Sequence, residues 1–230
     1  MLVGVLTALG VLGAIGLLVV LFLQRGREGV DLSLGGLLRL YLYLASLAGV
    51  IAFAIGLAGI ISFVLAAAFG LDVVYGGQIQ RPFPAIAPAC APNTTCPPFV
   101  TPLQQVITDP RIRQQTDDLV RGVTFVIFGG VFWGAHWWAR RVLSGVASGL
   151  HRAYLIVGTA IFGIATIAFL PMGIYQALSF AISPPDQFTF RPGAGEALSG
   201  GLAALPLWLG YLWLVQRGLR TAPPSSPTVA

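Results

Sequence analysis

Few side chains in this 230-residue sequence could do chemistry, and they fall into four groups. The only histidines are His136, set between Trp133 and Trp137-Trp138, and His151. Two imidazoles at one depth could ligate a haem iron axially, or one could hold a chlorophyll-type magnesium. Cys90 and Cys96 are the only cysteines. Asp117 and Asp118 could share a proton. "GAGEALSGG" (193–201) has the glycine content of a phosphate-binding loop.

Each group also has a plainer reading. His136 stands four residues before Arg140, at the end of an apolar stretch, with Trp133, Trp137 and Trp138 in the same two turns. Tryptophan favours the lipid headgroup level, where its ring is apolar and its N–H is wet. A histidine there donates to a lipid phosphate, a carbonyl or a tyrosine. No Cys-x-x-Cys-His attachment motif occurs. The glycine-rich stretch has no lysine and precedes an apolar run. It reads as a hairpin turn with Glu196 near a helix N-terminus, where negative charge is favoured. Asp117 and Asp118 read the same way. The cysteines stand six positions apart, with Pro92 and Asn93 between, so they can close a small disulfide ring in an oxidising compartment. Two unrelated thiols are the alternative. A metal site would need further Cys or His in that segment. The sequence Asn93-Thr94-Thr95 would matter only in a glycosylating source. There is no His-Glu-x-x-His, Gly-x-Ser-x-Gly or phosphate loop. No catalytic or metal residue is assigned and no cofactor is expected. The chain does not read as an enzyme, and His136 and His151 are the only cofactor-binding candidates.

Composition fixes where these groups must sit. The chain is 56% hydrophobic and 9% charged, with mean hydropathy +0.84. Soluble domains carry about 25% charged residues, so this is an integral membrane composition. The net charge of +5 comes wholly from arginine. In such a protein the excess sets orientation and does not point to nucleic acid.

Five stretches lack Asp, Glu, Lys and Arg: Met1–Gln24, Leu40–Leu71, Gly122–Ala139, Ala153–Pro185 and Ala197–Gln216. Each approaches or exceeds the ~20 residues that cross a bilayer as helix, and lipid forces helix because it cannot satisfy backbone polar groups. At ~1.5 Å per residue the second and fourth reach roughly 48–50 Å, so they must tilt, kink or protrude. Pro171 predicts a kink in the fourth. Met1–Gln24 lacks a basic start and a cleavage site and reads as a retained helix, not a cleaved signal. Arg25, Arg27, Arg39, Arg140, Arg141, Arg152, Arg217 and Arg220 share one side, which the short loops identify as cytoplasmic. The N-terminus is then outside and the C-terminus inside. The outer loop 71–118 holds eight of the sixteen prolines. Asp109 predicts an N-cap, Pro110 the first helical position, and a short amphipathic helix leads into the third crossing. The tail 221–230 reads as disordered.

The sequence also resembles itself. "RLYLYL" from Arg39 returns as "RAYLIV" from Arg152, 113 residues later. "WGAHWW" (133–138) returns as "WLGYLW" (208–213), 75 residues later, matching Trp133 with Trp208, His136 with Tyr211 and Trp138 with Trp213. A metal or haem ligand would not be expected to change to tyrosine, whereas an interface anchor could. Segments 37–141 and 150–217 are then two helical hairpins entering from the same side, a parallel repeat, with the 1–24 helix added. Arg39-x-Tyr41-x-Tyr43 and Trp133-x-x-His136-Trp137 resemble an uncharacterised bacterial membrane-domain family, a domain of unknown function often present in tandem. The second copy keeps Arg152, Tyr154, Trp208 and Trp213. The resemblance covers roughly 37–217 and implies architecture, without an activity to carry over.

The expected fold is an all-α integral membrane protein of five transmembrane helices: two tandem hairpins in parallel repeat and one N-terminal helix, in the bacterial inner membrane. Interface anchors are Trp133, His136, Trp137, Trp138, Trp208, Tyr211 and Trp213. Gly130-x-x-x-Gly134, the stripe Ala48, Ala52, Gly56, and Gly10, Gly13, Gly16 are read as helix-packing surfaces. The expected function is structural, an accessory or scaffold subunit packing on lipid and on other membrane proteins or itself. A solute or lipid transporter or binding protein without an ionisable relay is the alternative, since no charged residue lies near the middle of a crossing. A haem- or pigment-binding subunit comes third.

Overall fold

The computed structural model describes residues 34–76, 110–143, 148–182 and 192–220. Among them there are five helices and no strand. They are α1 (Leu34–Phe69), α2 (Leu71–Tyr75), α3 (Pro110–Leu143), α4 (Ser148–Ile182) and α5 (Gly195–Arg220). The four long ones are long and apolar enough to cross a membrane. The expected helix over 1–24, the Cys90–Cys96 ring, Asp109 and the tail 221–230 lie outside the described residues.

The elements extend further than the uncharged stretches. α3 is one helix of 34 residues from Pro110, so the expected amphipathic lead-in and the third crossing are continuous. Proline at the first position costs no helical hydrogen bond. The ion pair between Asp118 and Arg121, three residues apart, spans the junction on one face. The Thr116 hydroxyl donates back to the Ile112 carbonyl at 3.0 Å. The predicted loop 71–118 is therefore helical at both ends, over α2 and the first turns of α3. α4 begins at Ser148 and takes His151 and Arg152 into its first turns. It runs on through Pro171, as α5 does through Pro206, so neither proline ends its helix. Thr124, Thr159 and Thr166 each donate to the carbonyl four residues back, at 2.8 Å. Their hydroxyls are thus spent locally.

Two glycines turn the chain out of α1 into α2. Gly70 (φ 94°) and Gly76 (φ 66°) adopt positive φ, which side chains with a Cβ rarely do. The Gly70 N–H donates to Ala66 O and the Gly76 N–H to Asp72 O. α2 is then tied to the start of α5: the Ala194 N–H donates to Val73 O at 2.8 Å, and Gly76 bridges to Pro192. Asp72 pairs with Arg111 at the start of α3.

α1 is the central helix. It packs along α3 on one side and against α5 and α4 on another, while α4 packs along α5. The α1–α3 seam is backbone against backbone. A Cβ on Gly56 would stand 2.5 Å from Val126 N, and one on Gly49 2.8 Å from Trp133 N. From the other side, a Cβ on Gly122 would meet Ile60 N at 2.8 Å, and one on Gly129 Phe53 N at 2.5 Å. The expected packing stripes are corrected accordingly. Gly134 faces open space, Gly130 only grazes the Phe53 ring, and Ala48 is exposed. Of the predicted set, Gly56 lies in the seam, and Ala52 borders it half-buried. The contact register on α3 is Gly122 and Gly129, rotated by one residue from the Gly130–Gly134 pair. Between the seams lies a core of Leu47, Val50 and Ala54 from α1, Phe162 and Ala165 from α4, and Ala204 from α5.

This register separates two substitutions of equal chemistry. Gly129→Leu drives a side chain into the α1 backbone and is expected to cost about 1–3 kcal/mol, the usual range for overpacking. Gly134→Leu meets nothing and replaces a poor helix former, so stability should stay level or rise by up to ~1 kcal/mol. Thermal unfolding of the two variants in one detergent measures the difference. The reverse order would mean that Gly130–Gly134 is the contact.

Candidate functional site

Two polar assemblies stand at opposite ends of the bundle. The first lies at the arginine-rich end. In α3, the His136 Nδ1 is 2.8 Å from the Phe132 carbonyl, which can only accept, so Nδ1 carries the proton and donates. Nε2 then accepts from the Tyr41 hydroxyl of α1 at 3.4 Å, and the two rings meet edge to face at 5.7 Å. Both imidazole nitrogens are thereby occupied within the protein.

Beside it, Arg140 is buried at 6% exposure. Its guanidinium sits 4.7 Å from the Tyr43 ring centre of α1 and 4.6 Å from that of Tyr154 of α4. The Tyr154 and Tyr211 hydroxyls are 2.6 Å apart, and Ser46 Oγ lies 3.4 Å from the Tyr154 hydroxyl. Tyr211 stacks on Phe162, with ring centres 5.7 Å apart. All four long helices contribute. Of the expected interface anchors, Trp133, Trp137, Trp138 and Trp213 are exposed in part. Arg141 lies 3.7 Å over the Trp137 ring and Arg217 5.5 Å from that of Trp213. Trp208 is half-buried against Gly163. Tyr211 is a correction: at 7% exposure it is a core residue, admitted by Gly158, which has no side chain to block its ring. His151, the other cofactor candidate, is exposed on the first turn of α4, 6.4 Å from the Tyr43 ring.

The second assembly lies toward the opposite end, where α1, α3, α2 and the start of α5 line a half-open hollow of about 390 Å³. Its polar lining includes Asp118 and Arg121 of α3, Tyr75 of α2, Ser62 of α1, and Glu196 and Ser199 of α5. Asp118 is 7% exposed; it accepts from the Tyr75 hydroxyl at 3.1 Å and from Arg121 at 2.6 Å. The sequence reading placed Asp118 and Glu196 separately, each as a charge near a helix N-terminus, and so missed their convergence. In the third crossing, the expected absence of charge holds only for the short stretch 122–139. Once α3 is extended, Asp118 and Arg121 lie well inside it. Asp117, its expected partner in a carboxylate pair, is exposed. No group of three or more metal-ligating side chains occurs among the described residues.

A second hollow, of about 320 Å³, is apolar and lies on the other side of Val74, lined by residues such as Leu65, Phe69, Leu178 and Leu198. No family model, no curated protein and no solved structure matches the chain.

The Tyr75 hydroxyl is pushed up to about 12, first by burial and second by the Asp118 charge. Its neutral form is thus the folded form, and the stability it lends is complete below pH 10 and lost between about 10 and 12. In an alkaline absorbance titration of the folded protein, the phenolate signal missing from Tyr75→Phe should be the component rising near pH 12. Asp118→Asn should move that component downward. A missing component at pH 10 would refute the contact.

Proposed function

We propose that the chain is a five-crossing protein of the bacterial inner membrane, N-terminus outside and C-terminus cytoplasmic, that serves as an accessory or scaffold component. Its partners are the bilayer and other membrane proteins or a second copy. The observation that carries this reading is that the side chains best suited to chemistry at the arginine-rich end are engaged with one another across helices. His136 uses both nitrogens internally, which favours an anchor over an axial haem ligand. Arg140 and the three tyrosines are committed to the packing of four helices. The surface left over is broadly apolar. On α3, Phe128 is 73% exposed and Trp138 65%, and α3 lies at the side of the bundle.

The same reading takes α1–α3 and α4–α5 as copies of one hairpin, as in the tandem membrane-domain family that the Arg-x-Tyr and Trp-x-x-His motifs resemble. Two observations support it. By the offsets of 113 and 75, Tyr41 corresponds to Tyr154 and His136 to Tyr211, and within each hairpin the two meet: Tyr41 with His136, and Tyr154 with Tyr211. The α3 seam residues Gly122, Val126 and Gly129 correspond to Ala197, Gly201 and Ala204, and a Cβ on Gly201 would crowd α4 at 2.8 Å from Leu170.

Co-purification of the full chain in mild detergent tests the role. A stoichiometric protein partner or a defined oligomer, without colour, is expected. A lone monomer, or a Soret band in the absorbance scan, would reject it. Topology is tested by labelling intact cells with a membrane-impermeant thiol reagent after reduction. Cys90 and Cys96 should react from outside, and labelling only after lysis would reverse the orientation.

A further inference from the structure

We infer that the stretch Met1–Gln24 docks along one side of α1, antiparallel to it and next to α3; this rests on the reading of that stretch as a crossing. α1 is otherwise enclosed, by α3, α5 and α4. One stripe of it is left open. Leu34, Leu37, Leu38 and Tyr41 are exposed, and Ala48 is exposed in line with them. Steps of three, four and seven residues put these side chains on one face of a helix. The stripe is continuous with the α1–α3 seam. Tyr41 touches His136 of α3, and Ala52, one turn beyond Ala48, borders the seam at Gly129. Its first part is no face for lipid tails, because Leu34, Leu37 and Leu38 precede Arg39, on the headgroup side of the crossing. Three neighbouring leucines there call for a protein cover.

The chain that precedes α1 supplies that cover. Residues 1–33 lead straight into Leu34, where the stripe begins. Only residues 25–33 separate Gln24 from α1, and consecutive helices joined by a short link pack as antiparallel neighbours. Depth matches as well. The two uncharged stretches end at Gln24 and begin at Leu40, both on the arginine-rich side. Eight residues inward from these boundaries stand Gly16 and Ala48, and about one turn further stand Gly13 and Ala52. Small residues facing each other let two backbones approach, as α3 approaches α1 at Gly49 and Gly56. The open face of α3 offers no such fit. Its exposed residues near that depth are Phe128, Val131 and Phe132, whose bulk would hold a neighbouring helix off.

Paired cysteines in the full chain, in membranes and with Cys90 and Cys96 replaced by serine, test the docking. Mild oxidation joins two cysteines only where their Cα atoms come within about 7 Å. Gly16→Cys with Ala48→Cys is expected to lose most of its maleimide-reactive thiol on oxidation and to stay a single chain on a non-reducing gel. Gly13→Cys with Ala52→Cys, one turn on, should behave alike, and it decides the matter where the first pair does not fold. Gly16→Cys with Val131→Cys of α3, or with Ala160→Cys of α4, both exposed near the same depth, should keep both thiols. Val3→Cys alone should react with an impermeant reagent from the same side as Cys90. Reaction of Val3→Cys from the arginine-rich side would end the crossing reading and the docking with it. The expected labelling without a link to α1 would end the docking alone. A link from Gly16 to Val131 or Ala160, or a dimer joined through Ala48, would overturn it in favour of another face or a second copy.

Discussion

The structure depends on a guanidinium held between two phenol rings. Arg140 arrives from α3, Tyr43 from α1 and Tyr154 from α4, while the Tyr154 hydroxyl reaches Tyr211 of α5. Elsewhere α3 lies mainly against α1, and α4 mainly against α5. Burying a guanidinium costs several kcal/mol of lost hydration. Two ring faces return part of it, at about 2 kcal/mol or more for each desolvated cation–π contact. The chain of hydroxyls from Ser46 through Tyr154 to Tyr211 keeps the rings oriented. Such a clamp fixes rotation about each helix axis, because a ring face has direction, whereas apolar packing alone would tolerate several phases.

Rotation matters because the seams leave no slack. Where helices lie in lipid, burial of apolar surface gives little preference for helix over tail, and close backbone approach does the associating instead. The α1–α3 seam is of that kind. Gly49, Gly56 and Gly59 of α1 receive the backbone of α3, and Gly122 and Gly129 receive that of α1. A turn of one residue would bring Phe128 or Gly130 into the seam in place of Gly129. The clamp and the glycines thus specify the same phase from different chemistries, and neither is sufficient. The Gly158–Tyr211 contact joins the two devices, since the missing Cβ lets the ring reach Tyr154.

This division explains what was legible in the sequence. Helix existence follows from the lack of charge over ~20-residue windows, and four long apolar helices follow directly from that. Helix ends were less legible. Charge was used as the boundary, but α3 carries Arg111, Arg113, Asp117, Asp118 and Arg121 in its first turns, and helix survives wherever backbone bonds can continue. Rotational phase was not legible at all. Leu, Val, Ile and Phe occur on every face, so the small-residue pattern fits Gly130–Gly134 as well as Gly122–Gly129, and only the partner helix decides. The same ambiguity placed Tyr211 among the interface anchors, since the tip of a tyrosine suits a headgroup or another hydroxyl equally. His136 was better placed, because tryptophans and arginines on one short segment define a level, and its tyrosine partner was among the named options. The polar cavity needed three distant segments. Neither Asp118 nor Glu196 signals more than a helix start until α2 is tied between them.

The two ends also differ in how their charges are satisfied, and the difference is informative. At the arginine-rich end the buried cation is enclosed by rings and hydroxyls of the protein itself, and that end closes on itself. At the other end the buried anion is held by a phenol and by a guanidinium that is half in solvent, beside a second carboxylate and an open volume. Gly59 and Gly193 beside it are pressed onto the Asp118 and Tyr75 backbones, so close backbone packing reaches this end of the bundle as well. One end is thus sealed by the protein's own rings and hydroxyls, and the other keeps its ion pair beside a hollow and half in solvent.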